Sequence, residues 1–136
     1  MNFTYNSIKE EVRERRSNFR EYYINFFEVF EELYNPELIK QVYIKNIFNN
    51  EKTETIFFFE DKIVSVSKQD VHFLIEEHRG KVINKVLYVS KQAHRETKLE
   101  LTFENDKKIV FDNYKDSNDN WSEDYSFDIR ELYKSL

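Results

Sequence analysis

A chain of 136 residues is the size of one domain, and 13 Phe and 9 Tyr within a 40% hydrophobic composition exclude disorder as a description of the whole. The absence of cysteine excludes a disulfide scaffold, a thiolate nucleophile and cysteine-held zinc, and fits a reducing, cytoplasmic setting. A net charge of −5 repels polyphosphates at long range, which argues against broad nucleic-acid binding.

The first residues lack the basic start and continuous apolar core of a signal peptide, and no later apolar run approaches the ~20 residues that span a bilayer. No membrane role is expected. From Ile8 through Val12, Phe19, Tyr22, Tyr23, Phe26, Phe27, Val29 and Phe30 to Leu33, apolar residues recur at three- and four-residue spacing. That period predicts one long amphipathic helix over residues 7–34. Ser7 with Glu10 offers a capping box at its start, and Asn35-Pro36 marks its end because the residue before proline avoids helical dihedrals. Residues 38–48 read as either helix or strand; a short helix opened by Asn35 and Pro36, then a strand from Val42 to Phe48, is the preferred division.

Short β-prone runs follow at Thr55 to Phe59, Ile63 to Ser67, Val71 to Ile75, Val82 to Val89, Lys98 to Glu104 and Ile109 to Phe111. Turns are signalled at Glu60-Asp61, Arg79-Gly80 and Asn105-Asp106. Links this short cannot hold crossover connections, so residues 38–113 are expected to form an antiparallel sheet of about six or seven strands. A strongly bent meander closed by a helix resembles the pleckstrin-homology-like architecture, a likeness of topology that says little about function.

Over residues 119–136 the helical period returns, with Trp121, Tyr125, Ile129, Leu132 and Leu136 in one stripe behind a cap offered by Asn120 and Glu123. The first four of these are expected to lie buried against the sheet. No linker or repeat marks a boundary, so residues 1–136 read as a single α+β domain: long N-terminal helix, antiparallel bent sheet, C-terminal helix.

Chemical motifs are scarce. Asp116, Asn118 and Asn120 alternate as in a calcium loop, but Trp121 stands where that loop needs Gly and Phe127 where it needs a bidentate Glu, so a polar loop is the better reading. His72, His78 and His94 fall in different elements, and no two share the spacing that places a pair on one helix face. Gly80 stands alone, which removes phosphate-cradling loops and nucleophile elbows. Glu76-Glu77 and Glu123-Asp124 are adjacent in sequence and so point in different directions. No metal, no cofactor and no catalytic role is assigned.

The pattern that folding explains least is the basic stripe Lys9, Arg13, Arg16 and Arg20, which follows one side of the predicted first helix beside its apolar face. In a single long helix these cations occupy the N-terminal half and Glu28, Glu31 and Glu32 the C-terminal half, the reverse of what the macrodipole favours. Either the stems lie over the core and meet acidic neighbours, or the stripe faces a partner.

Taken together, Arg20-Glu21-Tyr22-Tyr23, Leu33-Tyr34-Asn35-Pro36 and Val110-Phe111-Asp112 followed by Asp116-Ser117-Asn118-Asp119-Asn120-Trp121-Ser122-Glu123 resemble a family of small uncharacterised proteins from Bacillus and its phages. The resemblance implies a phage or prophage accessory protein of the bacterial cytoplasm and carries over no functional residue. The expected function is a non-catalytic interaction module that binds a host protein or a second copy through Lys9, Arg13, Arg16 and Arg20. The alternative is a small-ligand binder that sequesters an anionic metabolite or nucleotide signal among aromatic and basic side chains.

Overall fold

The computed structural model describes residues 3–14, 22–49, 51–91 and 96–136. The fold is α+β, with seven antiparallel strands among the described residues and a C-terminal helix. Two compact units divide the chain, Asn2–His78 and Arg79–Leu136.

In the first unit, helix α1 (Tyr5–Arg13) and helix α2 (Phe26–Leu33) precede a short 3-10 helix (Pro36–Leu38) and strands β1 (Gln41–Lys45), β2 (Glu54–Phe58), β3 (Ile63–Gln69) and β4 (His72–His78). The strands pair in chain order. Val42, Phe57 and Val64 stand in register across β1, β2 and β3, and Ile44, Thr55, Val66 and Ile75 form the neighbouring row. Aromatic rings fill the space over these rows: Phe26 stacks on Phe57 at 5.9 Å, and the Phe30 ring lies 4.6 Å from it. Two phenols that burial would otherwise penalise are satisfied by the sheet. Tyr22 donates to the Val66 carbonyl at 2.8 Å, and the Tyr23 and Thr55 hydroxyls share a bond of 2.6 Å.

The single helix expected over residues 7–34 is not what forms. Helix α1 spans 9 residues, and Ile24 and Asn25 make a turn before α2, with Asn25 left-handed at φ 65°. Asparagine tolerates that conformation better than most residues, and the apolar spacing continues on both sides of the turn, so the period alone hides the break. Residues 15–21, which include Arg16 and Arg20, lie outside the described residues. The cap also differs: Thr4 is the N-cap, its Oγ1 accepting from the Ser7 amide at 3.0 Å while Ser7 Oγ accepts from the Thr4 amide at 2.8 Å. Ser7 thus closes the box at its last position, three residues after Thr4, and does not open it. Asn35 caps the 3-10 helix as expected, taking the Glu37 amide at 3.1 Å, and β1 follows directly.

The second unit holds strands β5 (Val82–Val89), β6 (Thr97–Phe103) and β7 (Lys108–Asp112), in that order, and helix α3 (Ser122–Ser135). The period-two alternation of β6 is reproduced in its burial: Thr97, Leu99, Leu101 and Phe103 are buried while Lys98, Glu100 and Thr102 are half-buried. Tyr125, Ile129 and Leu132 form the buried face of α3, which packs on this sheet. Burial, with the Asp116 and Asp128 carboxylates adding, raises the Tyr125 phenol above its ordinary pKa.

Two sheets therefore replace the one bent meander of the pleckstrin-homology-like expectation. Arg79–Lys81 is short enough for a hairpin, but the Lys81 carbonyl accepts from the Glu104 amide at 3.1 Å, which ties the start of β5 to the end of β6. Two residues also depart from their expected places. Val71 is the tip of the hairpin that pairs Gln69 with His72, 89% exposed, because Asp70 takes the left-handed turn conformation beside it. Trp121 is the N-cap of α3 and only half-buried, one turn ahead of the buried stripe it was expected to lead.

Candidate functional site

The first four amides of a helix have no partner within it. At α1 the Thr4 side chain takes the Ser7 amide and the Thr4 carbonyl takes that of Ile8 at 3.0 Å. Among the described residues the Tyr5 and Asn6 amides take no such cap, and they stand at the positive end of the helix dipole. Beside this first turn opens a recess of about 290 Å³, walled on the other side by the segment from Pro36 to Val42. The Asn35 cap and a bond from the Lys40 amide to the Phe58 carbonyl at 2.7 Å hold that second wall in place.

Apolar lining comes from Phe3, Tyr5, Pro36, Ile39 and Val42, and polar lining from Thr4, Asn6, Glu37, Lys40 and Gln41. The Phe3 ring is stacked with Phe48 at 6.2 Å. Lys40 is exposed and its ammonium lies 3.5 Å from Glu60, a long contact that leaves the cation mostly hydrated. The recess thus joins an aromatic and aliphatic floor to one cation, one carboxylate and two helix-terminal amides.

The basic stripe divides. Lys9 Nζ meets Glu31 Oε1 on α2 at 2.9 Å and lies over the Tyr5 and Phe27 rings at 5.2 and 5.5 Å. Arg13 is 71% exposed at its side chain and pairs with Glu10, its neighbour one turn back, at 2.7 Å. Because α1 is short, Arg13 falls in its last turn, where the dipole favours a cation, so its placement no longer opposes the macrodipole. The Tyr5 phenol, beneath Lys9, is raised above its ordinary pKa by burial and by the Glu31 carboxylate.

The acidic stretch after β7 serves as a latch. Asp116 Oδ2 accepts from the Asp112 amide at 2.8 Å, and Asp112 Oδ1 from the amides of Tyr114 and Lys115 at 3.0 and 3.1 Å. Asn113 Oδ1 takes the Thr97 amide at 2.9 Å while its Nδ2 donates to the Ser122 carbonyl at 3.0 Å, and the Thr97 and Ser126 hydroxyls meet at 2.5 Å. Ser117 Oγ donates to the Asn113 carbonyl, and Asn118 Oδ1 receives the Trp121 amide at 3.1 Å. These side chains are spent joining α3 to the sheet, and no group of three His, Asp or Glu among the described residues is placed to hold a metal ion. His72 is exposed at the end of β4, and His94 lies outside the described residues.

A protein family described as "Protein of unknown function (DUF3908)" matches residues 4–128. The chain belongs to this family. Among the described residues, strands β1 to β7, helices α1 and α2 and every lining residue of the recess except Phe3 lie within the DUF3908 match. Neither a curated protein nor a solved structure matches the chain. The uncharacterised family expected from the sequence is met at that level.

The recess was not legible in the sequence. Its walls are separated by about thirty residues of chain, and neither Thr4 nor Lys40 belongs to a ligand-binding motif. Only the Asn35-Pro36 turn signalled that the chain reverses there.

Proposed function

We propose that this protein is a non-catalytic binder of a small ligand with an anionic end and an apolar body, seated in the recess at the start of α1. The observation that carries the reading is that the first turn of α1 and Lys40 line one recess above an aromatic and aliphatic floor. Its volume of about 290 Å³ suits a small metabolite. Glu37 sits on the same rim and sets the selectivity: it disfavours multiply charged anions and tolerates a ligand that also bears a cationic group. Among the described residues no helix is long and apolar enough to cross a membrane, and the absence of cysteine supports action in a reducing cytoplasm.

A thermal-shift panel of aromatic carboxylates, amino acids and nucleoside monophosphates tests the reading. A binder at 100 times its dissociation constant adds about 2.7 kcal/mol of stability. Lys40→Glu should abolish that shift without unfolding the protein, and Glu37→Gln should enlarge it for dianions. Shifts unaffected by Lys40→Glu, or none across the panel, overturn the proposal.

A second reading keeps the chain as a phage or prophage accessory protein that captures a host protein through the basic stripe. The exposure of Arg13 supports it, and the engagement of Lys9 with Glu31 weighs against it. Capture that survives charge reversal at Arg13, Arg16 and Arg20 together rules it out.

A further inference from the structure

Each sheet has two outer strands, β1 and β4 in one and β5 and β7 in the other. An outer strand offers unpaired amides and carbonyls to any passing strand, and natural proteins blunt it with charge, shortness or irregularity. Three of the four follow that rule. β1 spans 5 residues and ends on Lys45; β4 carries Glu76 and Glu77; β7 spans 5 residues between Lys108 and Asp112.

β5 does not. At 8 residues, Val82-Ile83-Asn84-Lys85-Val86-Leu87-Tyr88-Val89, it is the longest described strand, and it holds no carboxylate. Its one charge is drawn off the edge, since Lys85 Nζ donates to the carbonyls of Tyr133 and Leu136 at 2.9 and 3.0 Å and lies 4.4 Å over the Tyr133 ring. Ile83, Tyr88 and Val89 are 59%, 53% and 40% exposed. The shift in pairing between Val82 and Asn84 is the sole irregularity, and it sits at one end.

We propose that β5 is a self-association edge, at which two copies of this chain pair antiparallel about a two-fold axis at Val86 and join their three-stranded sheets into one of six. Two considerations select a second copy as the occupant. Each chain carries a net charge of −5, which disfavours apposing carboxylate-bearing edges, and β5 carries no carboxylate. The strand is also complementary to itself. A two-fold axis normal to the sheet keeps each face on its own side, so paired residues must alternate in phase. Centred on Val86, the pairing sets Lys85 against Leu87, Asn84 against Tyr88 and Ile83 against Val89. Centred one residue earlier it would oppose two Lys85 ammonium groups, a destabilising arrangement.

The test uses the full chain. Sedimentation velocity across micromolar to sub-millimolar concentrations should show a monomer–dimer equilibrium. Val86→Lys, which opposes two cations at the axis, should raise its dissociation constant by about tenfold or more with unchanged far-UV circular dichroism. The native chain has no cysteine, so Val86→Cys gives an unambiguous cross-link. Directly opposed residues stand close enough for a disulfide, and mild oxidation should yield covalent dimer far faster than Lys108→Cys on the other edge of the same sheet. A monomer at all concentrations, or a dimer that leaves Val86→Cys no more reactive than Lys108→Cys, overturns the proposal even if Val86→Lys fails to fold.

Discussion

Lys9 Nζ lies 2.9 Å from Glu31 Oε1 and roofs the Tyr5 and Phe27 rings, so one cation ties α1 to α2 twice over. The pair is partly exposed, and such pairs contribute about 0.2–1 kcal/mol, with the contact to the rings adding ~0.5–1 kcal/mol. Lys9→Ala should therefore lower stability by about 1 kcal/mol, and Arg13→Ala, on a pair within one helix, by less than ~0.5 kcal/mol. A double-mutant cycle of Lys9→Ala with Glu31→Gln in urea melts measures the coupling. Additive losses would show that the ion pair contributes nothing and that only the packed stem matters.

The Tyr5 hydroxyl beneath that bridge is buried beside the Glu31 carboxylate but finds no hydrogen-bond partner of good geometry among the described residues. A buried hydroxyl in that state costs desolvation without return, and removing it leaves the ring packing with Phe27 and Phe30 intact. Tyr5→Phe should be neutral or stabilising by up to about 1 kcal/mol in urea melts. A loss greater than ~1 kcal/mol would reveal a partner for the hydroxyl.

Asn113 connects three elements, receiving the Thr97 amide of β6 and donating to the Ser122 carbonyl of α3 from its place after β7. Asn113→Ala strands both groups in a buried setting, at about 1–3 kcal/mol each. The expected loss is about 2–4 kcal/mol, much of a small domain's margin, with the near-UV signal of the tyrosines in α3 altered. Asn113→Asp keeps the acceptor and loses the donor, so it should recover part of the loss.

Local and alternating signals were readable in the sequence. The eight-residue run of β5, the alternation of β6, the Asn35-Pro36 stop and the turns at Glu60-Asp61 and Asn105-Asp106 all depend on neighbours a few residues apart. What escaped depends on contacts distant in the chain or on conformations that periodicity cannot register. The left-handed Asn25 splits a helix whose apolar spacing runs on undisturbed. The two-sheet arrangement lies in which strands pair, β5 with β6 rather than with β4, and the recess in two walls that share no motif. Trp121 shows the same limit. It has the helical phase of Tyr125, but standing at the N-cap, one turn ahead of that residue, it is half-buried, so its emission should fall between buried and solvent-like values.

Asp128 lies on the half-buried side of α3, and burial, the largest cause, reinforced by the carboxylates of Asp124 and Glu131 on the same helix and only partly offset by a neighbouring positive charge, lifts its pKa from 3.8 to about 6. A carboxyl whose folded pKa stands above its unfolded value binds its proton more tightly in the native state. The native state is therefore favoured by this group below about pH 4, and the advantage is lost as pH rises from about 4 to about 6 and the carboxylate forms. The sign is the reverse of the usual salt-bridged aspartate. Asp128→Asn removes the titration and keeps the shape, so it should raise the melting temperature at pH 7 relative to the parent and leave the two nearly equal at pH 4. The difference between variant and parent isolates this residue from the other carboxylates, whose titration both proteins share. A variant less stable than the parent at pH 7, or one offset equally at both pH values, would mean that the ionised carboxylate is held by a favourable contact stronger than its burial cost.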